Sequence, residues 1–173
     1  MTSTNAAVKD CIYRNPGLHF NAIGRHLDIA TGQTQYHLRR LTNQEAVQKE
    51  AICGRTHYYP PTYSAWERGT IALLRRETTR EVVLCLLQTP GMQPAKIASR
   101  LDLARSTIEW HLSRLVEYGV VTKTASQNGT HGSTTIRLRN EEAVYRLLRE
   151  IEPRLIDRLV DRFANLADDL LTE

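Results

Sequence analysis

Asp28-Ile-Ala-Thr-Gly-Gln-Thr-Gln-Tyr-His-Leu-Arg-Arg-Leu41 recurs further along the chain as Asp102-Leu-Ala-Arg-Ser-Thr-Ile-Glu-Trp-His-Leu-Ser-Arg-Leu115. The offset, 74 residues from Asp28 to Asp102, holds without a gap outside the stretch. Cys11-Ile-Tyr-Arg-Asn-Pro-Gly17 maps onto Cys85-Leu-Leu-Gln-Thr-Pro-Gly91, and Lys49 onto Lys123. Stacked solenoid units repeat at about 20–50 residues, so this longer period marks a duplicated domain.

Within the first copy, Ala22, Ile23 and Leu27 form the apolar stripe of a short helix. Asp28-Ile29-Ala30 then makes a tight connection, and a second helix is predicted over residues 31–44. Thr34, Leu38 and Leu41 are spaced by four and three and share the face that packs inward. The opposite face carries Gly32, Tyr36, Arg39 and Asn43, flanked by Gln35 and Arg40. It has donors, acceptors and two cations, and no acid. A helical hairpin with a polar outer face would look similar. The duplication and the strands that follow each copy favour a helix that enters the DNA major groove, where Arg reads guanine and Asn or Gln reads adenine. Thr31, Gly32, Gln33, Gln35, Tyr36, Arg39 and Arg40 are the expected contacts on this helix.

Outward from the pair, residues 5–14 read as a first helix with Ala6, Val8, Cys11 and Ile12 inward, stopped by Asn15-Pro16-Gly17. Leu18-His19-Phe20 is short and extended. Residues 47–53, Gly54 and residues 55–59 read as two strands and a turn, and Pro60-Pro61 ends the unit. Three helices and a β-hairpin make the winged helix-turn-helix arrangement, with Arg55 at the tip of the hairpin placed for a phosphate. Residues 1–61 are therefore one domain. Residues 62–76 are a helical connector, with a bend expected near Gly69 and with Trp66, Ile71 and Leu74 packed between the domains. Thr78-Thr-Arg-Glu81 has the form of a capping box.

Residues 77–140 repeat the plan, with helices over 94–101 and 105–118, strands over 121–125 and 134–138, and a tip at 127–132 expected to be mobile. The expected contacts here are Arg105, Ser106, Thr107, Trp110 and Arg114. Glu109 and Glu117 lie on the same outward face as Ser106, Trp110 and Ser113. Two carboxylates near phosphate lower affinity, so this copy is expected to be the weaker contact or mainly structural. Residues 141–173 read as helix capped by Asn140 and divided at Pro153. Leu148 and Ile151 open an apolar stripe continued by Leu155, Leu159, Phe163, Leu166 and Leu170. A stripe so wide needs a partner, its own domain or a second chain. The expectation is a homodimer through Leu155, Leu159, Phe163, Leu166 and Leu170. The fold class is thus mainly α with small β-hairpin wings (α+β), two tandem winged helix-turn-helix domains plus C-terminal helices.

Composition is that of an ordinary globular chain, 41% hydrophobic and 24% charged over 173 residues. A net charge of +4, with 19 Arg among the 23 basic residues, is compatible with nucleic acid. Three unclustered cysteines, Cys11, Cys53 and Cys85, argue for a reducing compartment, and no signal peptide or membrane-length apolar run is seen. The expected location is the cytoplasm. No catalytic set, cofactor motif or metal-ligand spacing is found, and Cys53 with His57 lacks the paired spacing a metal needs. His37 and His111 are expected to pack and hydrogen-bond locally. Tyr36 and Trp110, aromatic at outward positions, are expected either to pack on the wing or connector or to touch a thymine methyl or sugar.

Both copies resemble archaeal winged helix-turn-helix transcriptional regulators of the broad ArsR/MarR type. The reading helix of that family commonly shows Ser-Thr-Val-Ser-Tyr/Trp-His-Leu-x-x-Leu. Here it stands as Gly32-Gln-Thr-Gln-Tyr-His-Leu-Arg-Arg-Leu41 and Ser106-Thr-Ile-Glu-Trp-His-Leu-Ser-Arg-Leu115. Glu109 departs from the pattern. The tandem form is similar to uncharacterised helix-turn-helix proteins of haloarchaea. The resemblance implies a sequence-specific double-stranded DNA-binding transcriptional regulator, working as a dimer on a partly palindromic site, with the operator, any effector and the sign of regulation open. The alternative is a winged-helix protein–protein interaction module that reads no base.

Overall fold

Each element begins and ends where local chemistry allows. The computed structural model describes residues 3–125 and 134–154. Helix α1 (Thr4–Arg14) starts at Ser3, whose hydroxyl accepts the Ala6 N–H. It stops at Asn15, whose amide side chain and backbone N–H both return to the Cys11 carbonyl. Strand β1 (Leu18–His19) leads into α2 (Phe20–Leu27), and Asp28 in the left-handed conformation reverses the chain into α3 (Thr31–Asn43). Strands β2 (Gln48–Ile52) and β3 (Arg55–Tyr59) follow. Cys53 and Gly54, at φ of 49° and 78°, make a two-residue turn whose twist matches that of the strands. The three strands pair in the order β1-β3-β2, all antiparallel, with Lys49 opposite Tyr58.

The second copy runs α5 (Glu77–Gln88), α6 (Pro94–Leu101), α7 (Arg105–Glu117), β4 (Val121–Ala125) and β5 (Thr134–Leu138). Asp102 repeats the left-handed reversal of Asp28 at φ 52°. The counterpart of β1 shrinks to a single bridge between Met92 and Ile136. The tip at 127–132 lies outside the described residues.

Between the copies stands α4 (Ala65–Leu74). Its start is a capping box formed by Ser64 and Glu67, which the sequence reading missed. The box expected at Thr78–Glu81 is not formed. The chain leaves α4 with only Arg75 and Arg76 to spare, so α5 already begins at Glu77, and its N-cap, Arg76, donates no side-chain cap. At Gly69, where a bend was expected, the helix is unbroken, and the missing Cβ makes room for the Tyr118 ring, which an ideal Cβ would approach to 2.4 Å. Trp66, beside it, donates its indole N–H to the Gly119 carbonyl at 3.3 Å.

Two cores result. Val8, Cys11, Ile12, Ile23, Leu38, Leu41, Val47 and Tyr58 fill the first. The second begins at Tyr59, the last residue of β3, takes in Ile71, Leu73 and Leu74 of α4, and runs on through α5, α6 and α7. It closes on α8 (Glu141–Ile151), capped by the Asn140 side chain, which accepts the Ala143 N–H. Val144, Leu147, Leu148 and Ile151 of α8 are all buried, at about 1.5–3 kcal/mol for each large side chain. The described part of the C-terminal stripe is thus covered by the chain itself. Leu155, Leu159, Phe163, Leu166 and Leu170 lie outside the described residues. Among the described residues no helix is long and apolar enough to cross a membrane.

Arginines of the connector bind it to the first copy, while its apolar side enters the core of the second. Arg75 donates twice to the Pro16 carbonyl, Arg76 donates to the Cys53 carbonyl, and Arg68 reaches Gln48 and Glu50 of β2. A backbone carbonyl accepts such a charged donor strongly when water is partly excluded. The two copies are therefore joined by a packed interface and not by a loose tether.

Candidate nucleic-acid interface

Helix α3 is held by Thr34, Leu38 and Leu41, all buried against the first core. That docking turns Thr31, Gly32, Gln33, Gln35, Tyr36, Arg39, Arg40 and Asn43 to solvent, and each is exposed. Tyr36 is 60% exposed, its ring edge-on to His37. Between α3 and β2 lies a groove of about 550 Å³. Phe20, Leu38 and Tyr58 form its floor, Gln35, Arg39 and Asn43 one wall, and Lys49 the other. Among the described residues Gln35, Arg39 and Lys49 have no hydrogen-bonded or ion-paired side-chain partner. The face is cationic, polar and unspent.

Lys49 was not among the expected contacts. Its match to Lys123 in the repeat was the one sequence signal. Its place beside Gln35 and Arg39 depends on how the β2–β3 hairpin lies against α3.

Strand β2 is shorter than the expected 47–53, and both flanks of the turn are held by side chains. Arg55 is the first residue of β3, and its guanidinium donates to His19 Nε2 at 3.5 Å, beside the start of α2. On the other flank of the turn, the Cys53 carbonyl is held by Arg76 at 3.1 Å. His57, next along β3, is buried and shares a 2.7 Å hydrogen bond with the Gly17 carbonyl, so its Nδ1 carries the proton. Burial pushes its pKa down, with Arg76, Arg55 and Arg75 adding to the fall against the raising effect of the Gly17 bond.

The corresponding face of α7 is internally satisfied. Glu109 stands where the first copy has Gln35, and Lys123 where it has Lys49. The two form an ion pair at 2.9 Å across the counterpart of the open groove. Arg114 pairs with Glu117 at 2.6 Å, and the Ser113 hydroxyl donates to the Glu109 carbonyl. Trp110, 43% exposed, has Arg76 and Arg114 over its ring at 5.4 and 5.7 Å from the centroid. Its outward position is explained by these cation–π contacts with the connector and its own helix. Arg105 and Ser106 are exposed at the start of α7 and Thr107 is half-buried.

One polar pair beneath the helices differs in the same sense. His111 Nδ1 and the Thr79 hydroxyl lie 2.8 Å apart. Burial first, and Arg76 second, hold the His111 pKa below its ordinary value. At the equivalent places in the first copy, His37 Nδ1 and Asn5 Oδ1 are buried and have no hydrogen-bond partner among the described residues. All three cysteines are free thiols, and among the described residues no three His, Cys, Asp or Glu side chains come together as a cation site.

Comparison with known proteins follows the same division. Residues 2–71 match a family described as an N-terminal HTH domain, and residues 75–122 match one described as winged helix-turn-helix DNA-binding. An uncharacterised HTH-type transcriptional regulator of Methanocaldococcus jannaschii is 26% identical over 121 residues, 70% of this chain and 30% of that protein. The chain thus spans less than a third of that relative's length. Among solved structures, reduced HlyU from Vibrio cholerae has a TM-score of 0.42 at 19% identity, covering 51% of this chain and 90% of that one. The PcaV transcriptional regulator from Streptomyces coelicolor, solved with its natural ligand, has a TM-score of 0.42 at 21% identity, covering 83% and 88%.

Proposed function

We propose that this chain, a tandem winged helix-turn-helix protein of the DNA-binding transcriptional-regulator type, is a sequence-specific reader of double-stranded DNA that works mainly through α3 of its first domain. The observation that carries this is the open groove between α3 and β2, with Gln35, Arg39 and Lys49 uncommitted and no carboxylate on its walls. Arg39 and Gln35 are the base-reading side chains, and Lys49 and Arg55 the phosphate contacts. Tyr36, Arg40 and the α3 start at Thr31, Gly32 and Gln33 line the rest of the contact. The working division is residues 1–61, the connector 62–76, residues 77–140 and the C-terminal segment 141–173.

The second domain supports the other reading. With Glu109 and Lys123 bound to each other and Trp110 covered by arginines, its α7 face suits a structural or protein-interaction role better than base reading. Arg105, Ser106 and Thr107 remain its nearest candidates for a backbone contact.

The protein acts in the cytoplasm as a homodimer in this proposal, joined through the stripe Leu155, Leu159, Phe163, Leu166 and Leu170. That would set two first domains on half-sites about 34–36 Å apart or a multiple of it. Selection of bound duplexes from a random library tests the reading. Arg39→Ala should weaken the selected duplex by roughly 1–3 kcal/mol and relax one base pair, while Arg55→Ala should weaken all duplexes alike. No enriched sequence, or identical behaviour of the two variants, would refute base reading by α3. Leu159→Glu with Phe163→Glu should give a monomer in light scattering, and a folded dimer would place the interface elsewhere.

A further inference from the structure

Beside the first wing, and off the reading helix, lies a second concavity of about 360 Å³ lined by His19, Asn21, Arg25, Gly54, Arg55 and their neighbours. Arg25, on the last turn of α2, and Arg55, on β3, are both exposed there, with His19 between them. Among the described residues neither arginine forms an ion pair with a carboxylate. The pocket also holds the start of α2, which no side chain caps and whose first turn has no acid. Free N–H groups at a helix start favour an anion.

The crowding of positive charge is felt inside the pocket. After burial itself, Arg55, His57 and Arg25 all lower the His19 pKa, and no acid is among the causes that offset them. Like charges gathered in one concavity repel, and a bound anion removes that repulsion. The second copy lacks the set, since Gln93 stands for His19 and Ser99 for Arg25 at the repeat offset. The cluster is therefore a property of this sequence and not of the winged fold, whose two copies here are otherwise closely matched.

We propose that Arg25, Arg55, His19 and the α2 start form a binding pocket for one phosphate group. In the DNA-binding reading, on which its physiological use rests, the group is a backbone phosphate flanking the bases read by α3. The arginines supply forked donors and the helix start supplies N–H groups, a set that fits the tetrahedral oxyanion. Arg55 thereby acquires a partner in Arg25, which was no part of the expected interface.

The test uses the full chain. The His19 ring resonances are followed by NMR during titration with inorganic phosphate, against chloride at matched ionic strength. A saturable shift with phosphate alone, abolished by the exposed substitution Arg25→Gln, is expected. The absence of a saturable shift in the wild type, or its survival in Arg25→Gln, would overturn the pocket. A second measurement identifies the source of the phosphate. If the group belongs to DNA, Arg25→Gln lowers the log–log salt slope for a random-sequence duplex by about 0.9. If the slope is unchanged while the titration is positive, the pocket stands and takes a free phosphate compound. A wild-type chain that binds no duplex refutes the DNA reading and leaves the titration to decide the pocket.

Discussion

The two histidines beneath the reading helices allow a matched experiment. Thr79 is 1% exposed, and its hydroxyl is the hydrogen-bond partner of His111 Nδ1 at 2.8 Å. Thr79→Val keeps the shape and removes that partner. The ring nitrogen then stays desolvated and unpaired, which costs about 1–3 kcal/mol. At about 2–4 °C per kcal/mol for a chain of this size, the melting temperature should fall by about 2–12 °C. Asn5 occupies the equivalent place in the first copy, but there Asn5 Oδ1 and His37 Nδ1 have no partner among the described residues. Asn5→Leu removes an oxygen that gains nothing from its surroundings, and replaces it with a better helix former. Its expected effect is between no change and a gain of about 1 kcal/mol. Both variants are compared by scanning calorimetry at pH about 7.5. If Asn5→Leu destabilises as much as Thr79→Val, the Asn5 oxygen is engaged after all and the contrast between the copies is wrong.

Acid should weaken the fold through three histidines. His19, His57 and His111 are all held below 6.5, chiefly by burial, so the unfolded chain binds more protons in the window below that value. Their contribution is complete above pH about 6.5 and is lost as pH falls beneath it, by at most about 1.4 kcal/mol per pH unit for each fully linked group. A urea midpoint that stays level or rises from pH about 7 to 5.5 would contradict this. Gln35→Glu recreates the acid of the second copy beside Lys49. It should bring the two together, as Glu109 and Lys123 are, and cut duplex affinity about tenfold or more by titration; an unchanged Kd would show that the groove is not the contact. Gly69→Ala offers a helix gain of about 1 kcal/mol but sets a Cβ 2.4 Å from the Tyr118 ring. Overpacking of about 1–3 kcal/mol should win, and a raised melting temperature would mean that the ring moves aside freely.

The repeat and its helices were legible because they are written in local periodicity. Thr34, Leu38 and Leu41, and again Ile108, Leu112 and Leu115, mark a buried face with no help from distant residues. The left-handed Asp28 and Asp102 sit where the apolar stripes break. The acids on the outward face of α7 were also visible, since Glu109 and Glu117 are plain in the sequence. The Lys123–Glu109 pair was not, since it needs β4 brought alongside α7. The errors share one origin. Thr78–Glu81 satisfies the capping pattern, but the helix start is set by how α4 ends two residues earlier. The packing reason for Gly69, the Tyr118 ring, lies far along the chain. For the same reason Arg25 and Lys49 were not singled out, since α2 meets the β2–β3 turn, and α3 meets β2, only in the folded chain.

The second core has an order of synthesis built into it. Tyr59 and the apolar side of α4 are made early, yet the helix that closes over them, α8, ends at Ile151. At about 5–20 residues per second, the ribosome needs about 4–15 s to travel from Leu74 to Ile151. During that interval Ile71, Leu73 and Leu74 lack the helix that closes their core in the finished fold. A growing chain in this state exposes a sticky edge to its neighbours on the same message. Two emerging copies could exchange their α8 helices there, each closing the other's core before its own. The packed connector of the finished molecule is thus also a part at risk while it is being made.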